Sequence, residues 1–467
     1  HTAYRRQRQM CIRDRYITLL LVVLILGSCK IGKSYVRPEL NLPDSLAQHQ
    51  DSLSFGDKEW WQIYTDSTLR SLIDRALEHN KDMLIAAARV KEMAAQKRIS
   101  TANLLPDIRG TVTAERENEN HGGDAFKRSD TFEAQLLFSW ELDLWGNLRW
   151  ARSASIAEYL QSVEAQRALR MTIIAEVAQA YYELVALDTE LDIVRQTLKA
   201  REEGMRLARI RFEGGLTSET SYRQSQVELA RTATLVPDLE RKISLKENDI
   251  AFLAGEYPNK ITRSRLLQEF NFPQELPVGL PSGLLERRPD IRQAEQKLIA
   301  ANARVGVAYT NMFPRISLTG RVGSESTALS ELLKSPYSIM EGALLTPIFG
   351  WGKNRAALKA KKAAYEAEVH SYEKAVLTAF KETRNSIVNF NKIKEVYDLR
   401  AKLERSAKSY VDLAQLQYIN GVTNYLDVLD AQRGYFDAQI GLSNAIRDEL
   451  IAVVQVYKAL GGGWQVQ

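Results

Sequence analysis

The sequence predicts an internally duplicated α+β membrane protein, with four long strands per chain and long helices that continue the barrel those strands help to close. Two observations lead there. The chain states one unit twice: Leu105-Pro106-Asp107-Ile108 returns as Phe313-Pro314-Arg315-Ile316, at an offset of 208 in the numbering. Trp145-Gly146 and Gly215-Leu216-Thr217 return as Trp351-Gly352 and Gly421-Val422-Thr423, each at an offset of 206. Landmarks at nearly one spacing mark a tandem repeat. Each unit also passes from a period of two to a very long stretch of helical period, a combination that few folds use.

Residues 1–28 read as a signal peptide. Five arginines precede a short apolar run, Ile17 to Leu26, too short to span a bilayer. Leu26-Gly27-Ser28-Cys29 resembles a lipobox, so cleavage before Cys29 leaves a lipidated cysteine as a membrane anchor. The formal net charge is +5, and the signal peptide holds +4 of it (Arg5, Arg6, Arg8, Arg13 and Arg15 against Asp14). The remainder is nearly neutral, which removes the main support for a nucleic-acid partner. Of the two cysteines, Cys11 lies in the removed segment, so disulfides do not hold the fold.

Residues 29–58 are polar with scattered prolines and read as an extended tether. The first repeat covers 59–255. Its helical periodicity starts near Leu69 and runs to about Leu104, where Pro106 stops it. Ile108, Gly110, Val112 and Ala114 then alternate with polar residues. A polar loop, Glu117 to Asp130, leads to the clearest strand, in which Phe132, Ala134, Leu136, Phe138, Trp140, Leu142 and Leu144 share one face. That length suits a tilted membrane-spanning strand. From Asn147 to Phe212 the only helix breaker is Gly204. Glycine turns follow at Gly214-Gly215, Thr217 offers a cap, and a returning helix ends near Leu253.

Residues 256–283 read as a linker, and 284–467 as the second repeat. There Ile316, Leu318, Gly320 and Val322 alternate, Tyr337 to Phe349 is apolar, and Lys353 to Asn420 holds neither Gly nor Pro. At 1.5 Å per residue each long stretch makes a helix of about 100 Å. The Gly421 turn leads to Thr423 and Asn424 as caps for the last helix.

Four membrane strands leave open edges, and unpaired backbone in lipid is costly. Membrane barrels need about eight strands or more. One chain therefore shares its barrel with copies of itself, and three copies supply about twelve strands, enough for a lumen. Trp140, Trp145, Trp150 and Trp351 lie at the strand-to-helix joints, where an interfacial aromatic belt or a packed junction would place them.

Further runs carry a family resemblance: Tyr35 to Pro38, Trp60-Trp61, Glu141-Leu142-Asp143-Leu144-Trp145-Gly146, Leu280 to Ile291, Tyr425-Leu426-Asp427-Val428-Leu429-Asp430-Ala431-Gln432-Arg433 and Leu460-Gly461-Gly462-Gly463-Trp464. Essentially the whole mature chain resembles the TolC/OprM outer-membrane efflux proteins, in their lipoprotein branch. Lys33 departs from the family's usual proline and touches only the tether. The resemblance implies a homotrimer with a twelve-stranded barrel in the bacterial outer membrane and a helical tunnel in the periplasm. It implies a periplasmic adaptor and an inner-membrane pump, of the RND type, as partners, with outer-membrane lipid around the barrel. The function implied is a passive exit duct for drugs or other small molecules. A type I secretion duct and a lipid-anchored helical scaffold are the alternatives.

By the same resemblance, Asp427 and Asp430 are gate residues. They share one helix face after the Gly421 turn, and acidic rings at a tunnel tip select cations. Asn424 and Asp427 also fit a capping box. Tyr418 matches the tyrosine of the family's latch, but Ser221 and Thr423 stand where its Asp and Arg would be. Gly215, Leu216, Thr217, Gly421, Val422 and Thr423 correspond to the turns that meet the adaptor. The five histidines are dispersed, and no phosphate loop or nucleophile motif occurs, so neither a metal, a cofactor nor an enzyme is expected.

Overall fold

The computed structural model describes residues 30–41, 54–120, 122, 126–264, 267–269, 277 and 281–464. The signal peptide, Cys29 and much of the 256–283 linker lie outside the described residues. In chain order the elements are α1 (Trp60–Ile63), α2 (Ser67–His79), α3 (Lys81–Ala102), β1 (Asp107–Glu119), β2 (Lys127–Leu142), α4 (Asn147–Glu213), α5 (Glu219–Leu253), α6 (Pro281–Arg287), α7 (Pro289–Thr310), β3 (Arg315–Ser326), β4 (Pro336–Leu345), α8 (Lys353–Ile419) and α9 (Tyr425–Ala459). The helices α4 and α8 are each 67 residues long, and α5 and α9 are each 35.

The chain forms two compact units. One takes residues up to Glu39 with Arg89–Val163 and Gln293–Glu373; the other takes Leu40–Ala88, Glu164–Arg292 and Lys374–Gln467. Both repeats contribute to both units.

The first unit holds the sheet, with strand order β1-β2-β3-β4 and every neighbour antiparallel. Its register carries the duplication. Ile108 pairs with Phe138, and their counterparts in the second repeat, Ile316 and Leu344, pair with each other. The sequence places a loop at Glu117 to Asp130, but β1 and β2 run well into it, and Arg116 binds Asp130 across the ladder at 2.7 Å. Both faces of the ladder are polar there, so alternation vanishes while backbone pairing continues. Two strands also end early. β2 stops at Leu142 because Asp143 turns to cap α4, accepting from the N–H groups of Leu148 (3.0 Å) and Arg149 (2.9 Å). β4 stops at Leu345, short of Phe349 and ahead of Pro347, which has no N–H to pair.

The second unit is helical, with a core of Leu69, Ile73, Ile174, Tyr181, Leu184, Ile250 and Tyr457, all essentially buried. The expected single helix from Leu69 to Leu104 is broken at Asn80. The Asn80 side chain accepts from the N–H groups of Asp82 and Met83 and donates to the carbonyl of Leu253, the last residue of α5, at 2.9 Å. Arg288, its counterpart in the second repeat, sits at the α6–α7 break and donates to the carbonyl of Ala459, the last residue of α9, at 3.0 Å. Leu253 and Ala459 are repeat counterparts too, so the two halves make one joint with different chemistry. Arg288 also binds Asp290 and Glu382, at 2.7 and 2.6 Å.

Candidate functional site

The sheet sorts its side chains by polarity. Ile108, Phe138, Gly320 and Met340 form one row across the four strands, and Val112 and Ala134 or Ile316 and Leu344 fall on the same face. The opposite face carries Arg109, Thr111, Thr113, Gln135, Thr319 and Arg321. Val112, Leu136, Val322, Met340 and Leu344 are exposed, so much of the apolar face is uncovered in one chain. That is the pattern of a membrane barrel wall, apolar to lipid and polar to a lumen. The outer edges of β1 and β4 are open.

Three of the four joint tryptophans are tied to backbone. Trp140 donates to the Leu104 carbonyl (3.1 Å), Trp145 to that of Pro314 (2.7 Å) and Trp150 to that of Ile31 (2.7 Å). Trp150 is buried against Ala154, Ala303 and the backbone at Gly32 and Gly306, so it packs the junction rather than an interface with lipid. Trp351 differs, being 90% exposed. The tether docks at the same junction. The Lys30 ammonium lies 3.6 Å from the Trp150 ring centroid and donates to Ser153, and Ile31 N–H donates to the Trp145 carbonyl. Further along, Arg37 grips Glu295 with two bonds, at 2.6 and 2.7 Å, and Tyr35 adds a third. Burial, the larger cause, and that carboxylate together push the Tyr35 phenol well above its ordinary range.

The other candidate residues lie in the second unit, at the two helical turns. Gly215 (φ +69°) and Gly421 (φ +72°) take the left-handed conformation. The N–H groups of Leu216 and Val422 close the turns onto the carbonyls of Arg211 and Gln417. Leu216 (72%) and Val422 (74%) stand exposed at matching places. The caps diverge. Asn424 accepts from the N–H groups of Leu426 (2.8 Å) and Asp427 (3.2 Å). Thr217 does not cap: Ser218 takes the N-cap place, without a side-chain bond. Asp427 does not complete a capping box either. Its carboxylate instead accepts from the Thr423 hydroxyl. Asp427 is half-buried and Asp430 exposed.

Tyr418 is buried beside Tyr425, with ring centroids 5.4 Å apart, and under the Arg211 guanidinium at 4.6 Å. Burial, reinforced by Tyr418, pushes the Tyr425 phenol up to about 12. A Cβ on Gly204 would come within 3.0 Å of the Tyr425 hydroxyl, so the breaker seen in the sequence makes room for this ring.

One buried charged cluster gives no sequence signal. Arg201 of α4 and Glu228 of α5 are buried as a pair, their side chains 7% and 2% exposed and 3.1 Å apart. Arg201 also donates to the Glu228 carbonyl and the Thr232 hydroxyl. Arg433 of α9 reaches the same carboxylate at 2.6 Å, and Arg231 at 3.2 Å. The hydrogen bond from Arg433, with Arg201 and Arg231 behind it, holds Glu228 below the usual carboxylate range. Three helices are thereby fastened just behind the acidic pair. A glutamate on a charged amphipathic helix reads as solvated, and nothing at the duplicated position marks it.

Among the described residues no three His, Cys, Asp or Glu side chains group as metal ligands, and no helix is long and apolar enough to cross a membrane. The family described as Outer membrane efflux protein matches residues 72–256 and 280–462. The chain is 33% identical over 465 residues to Outer membrane protein OprJ of Pseudomonas aeruginosa, covering 96% of each. It is 32% identical over 462 residues to the solvent efflux pump outer membrane protein SrpC of Pseudomonas putida, covering 96% of this chain and 98% of that one. Its fold matches the open state of the Neisseria gonorrhoeae MtrE outer membrane channel with a TM-score of 0.87 at 30% identity, over 94% of this chain and 99% of that one.

Proposed function

The chain belongs to the outer membrane efflux protein family and is an outer-membrane efflux duct rather than an enzyme, and from that premise we propose that three copies close one channel gated by Asp427 and Asp430. The observation that carries the trimer is the sheet: one continuous apolar face, four strands and two open edges. Such edges are satisfied in lipid only by further strands. The periplasmic adaptor meets the turns at Gly215–Thr217 and Gly421–Thr423, and an inner-membrane pump of the RND type delivers drugs or other small molecules.

Cys29 carries the lipid. What supports this is the tether: the residue after Cys29 is pinned against Trp150 and Ser153, at the joint where strands give way to helices. A diacylated cysteine at the adjoining position is well placed to enter the neighbouring leaflet.

At the turns, Asp427 and Asp430 lie on one face of α9, and three-fold symmetry makes them a ring of carboxylates. In planar bilayers, Asp427→Ala with Asp430→Ala raises conductance or weakens block by cations. Unchanged conductance and ion response would rule out the gate. The adaptor contact has its own test. No atom lies within 4 Å of a Cβ built at Gly215 or Gly421. Gly215→Glu or Gly421→Glu therefore costs only the left-handed backbone strain, about 1–2 kcal/mol. Trimers persist while drug efflux fails; normal drug resistance in cells carrying either variant would refute the contact.

A further inference from the structure

The two repeats differ sharply in charge where β4 gives way to α8. From 342 to 365 the chain holds no acidic residue and five cations, Lys353, Arg355, Lys359, Lys361 and Lys362. The counterpart stretch of the first repeat, 136–159, sets Arg149 and Arg152 against Glu141, Asp143 and Glu158. The difference begins at the helix cap. Asp143 caps α4 and binds Arg149 at 3.1 Å. Its counterpart is Phe349, so Arg355, the counterpart of Arg149, stands without that carboxylate.

Among the described residues, none of the five cations forms an ion pair, and no acid stands in the first turn of α8. Lys353 and Arg355 in that turn oppose the helix dipole. Arg355, Lys359 and Lys362, four and three residues apart, share one face and repel one another. All three are exposed. No described residue offsets this repulsion, which points to an anionic partner outside the chain.

The position says which anion. The run follows the barrel strand β4, and between them Ile348, Phe349 and Trp351 are exposed, the Phe349 and Trp351 rings 5.0 Å apart. Exposed aromatic side chains beside a basic helix face suit the boundary between acyl chains and headgroups. The first repeat gives the face its direction. Arg355, Lys359 and Lys362 correspond to Arg149, Ser153 and Ile156. Ser153 accepts from Lys30, the residue after the proposed lipid-bearing Cys29. The equivalent face of the first repeat therefore carries the tether that leads to the lipid.

We infer that the opening turns of α8 bind anionic phospholipid: Arg355, Lys359 and Lys362 meet headgroup phosphates in the leaflet at the strand-to-helix joint, and Phe349 and Trp351 enter the boundary beside them. The two repeats hold one leaflet by different means, a covalent lipid on the first and an ionic contact on the second. This inference rests on the membrane barrel and lipidated tether proposed above and adds a lipid class and its site.

Brominated lipids quench tryptophan on contact, and Trp351 stands beside the cations. The full chain is placed in phosphatidylcholine vesicles that carry brominated phosphatidylglycerol or, at the same mole fraction, brominated phosphatidylcholine. One cation near an anionic surface favours binding about fivefold, so the anionic quencher should be preferred at least about fivefold. Raising the salt should shrink the preference. Arg355→Gln with Lys359→Gln and Lys362→Gln should abolish it, since glutamine keeps the helix and loses the charge. Lys359→Arg with Lys362→Arg should retain it. Equal quenching by the two lipids in wild type overturns the inference, as does a preference that survives the glutamine variant or fails in the arginine variant. Should the triple variant not insert, Lys359→Gln alone is expected to lower the preference about fivefold, and no change overturns the site. Quenching of wild type by neither lipid would sink the membrane barrel itself, and this inference with it.

Discussion

Glu228→Ala is expected to destabilise the helical unit by about 3–5 kcal/mol, because it strands the Arg201 guanidinium in the interior without its paired carboxylate. Arg201 has little alternative. Its side chain is buried; its other hydrogen-bond partners, the Glu228 carbonyl and the Thr232 hydroxyl, are uncharged, the Phe436 ring lies 5.7 Å away, and Asp437 acts on it only weakly. Arg433→Ala removes a half-exposed partner of the same carboxylate and is expected to cost about 1 kcal/mol or less. Guanidinium unfolding of the detergent-solubilised protein, followed by helical circular dichroism, separates the two. Equal losses would mean that Arg201 finds water. Acid should mimic the mutation. The Glu228 carboxyl is held below its ordinary range, so its contribution is complete above the unfolded glutamate value of about 4.3 and is lost as the pH falls below it. The deficit of Glu228→Ala relative to wild type should therefore shrink in acid.

Gly255→Ala is the second large effect, about 3–5 kcal/mol from left-handed strain and overlap together. Gly255 has φ +73°, and a Cβ there would stand 2.2 Å from the His79 carbonyl oxygen and 2.6 Å from its carbon. Backbone cannot step aside as a side chain can. The site also carries the joint in which Asn80 bonds the Leu253 carbonyl and Arg75 pairs with Glu256 at 2.7 Å. Gly461, its counterpart in the second repeat, has φ +79°, but a Cβ there would meet side-chain atoms of Arg288 and Arg287 at 3.1 and 3.2 Å and backbone, the Arg287 carbonyl carbon, only at 3.3 Å. Those side chains can shift, so Gly461→Ala is expected to cost about 1–2 kcal/mol. The thermal unfolding temperature should fall further for Gly255→Ala than for Gly461→Ala; the reverse order would mean that the His79 backbone yields.

The duplication was legible in the sequence to the residue, since its offsets recur in the strand register and in the pairing of position 80 with 253 and of 288 with 459. The two longest helices were legible because Gly204 is the only breaker in α4 and α8 holds none. What stayed hidden depends on partners distant in sequence. Asn80 ends a helix without Gly or Pro because its amide caps α3 and bonds the end of α5 at once. The strand segments around Arg116 and Asp130 lack alternation because the residues on both faces are polar there. Glu228 is buried only because α4, α5 and α9 converge on it. At the turns, the sequence located Asp427 and Tyr418 but not their contacts, Thr423 and Arg211.

The Asn80 and Arg288 joints also bear on how the proposed trimer can evolve. In a ring of six identical units, one codon change alters all six joints together, and any change that harms one harms all. Joining two units in one gene uncouples them. In the proposed trimer, codon 80 governs three joints and codon 288 the other three, so each set can acquire its own chemistry while the other holds the ring. A neutral amide now serves one set and a guanidinium with two carboxylates the other. The fused gene is in that sense a heritable way to halve the symmetry without losing the ring.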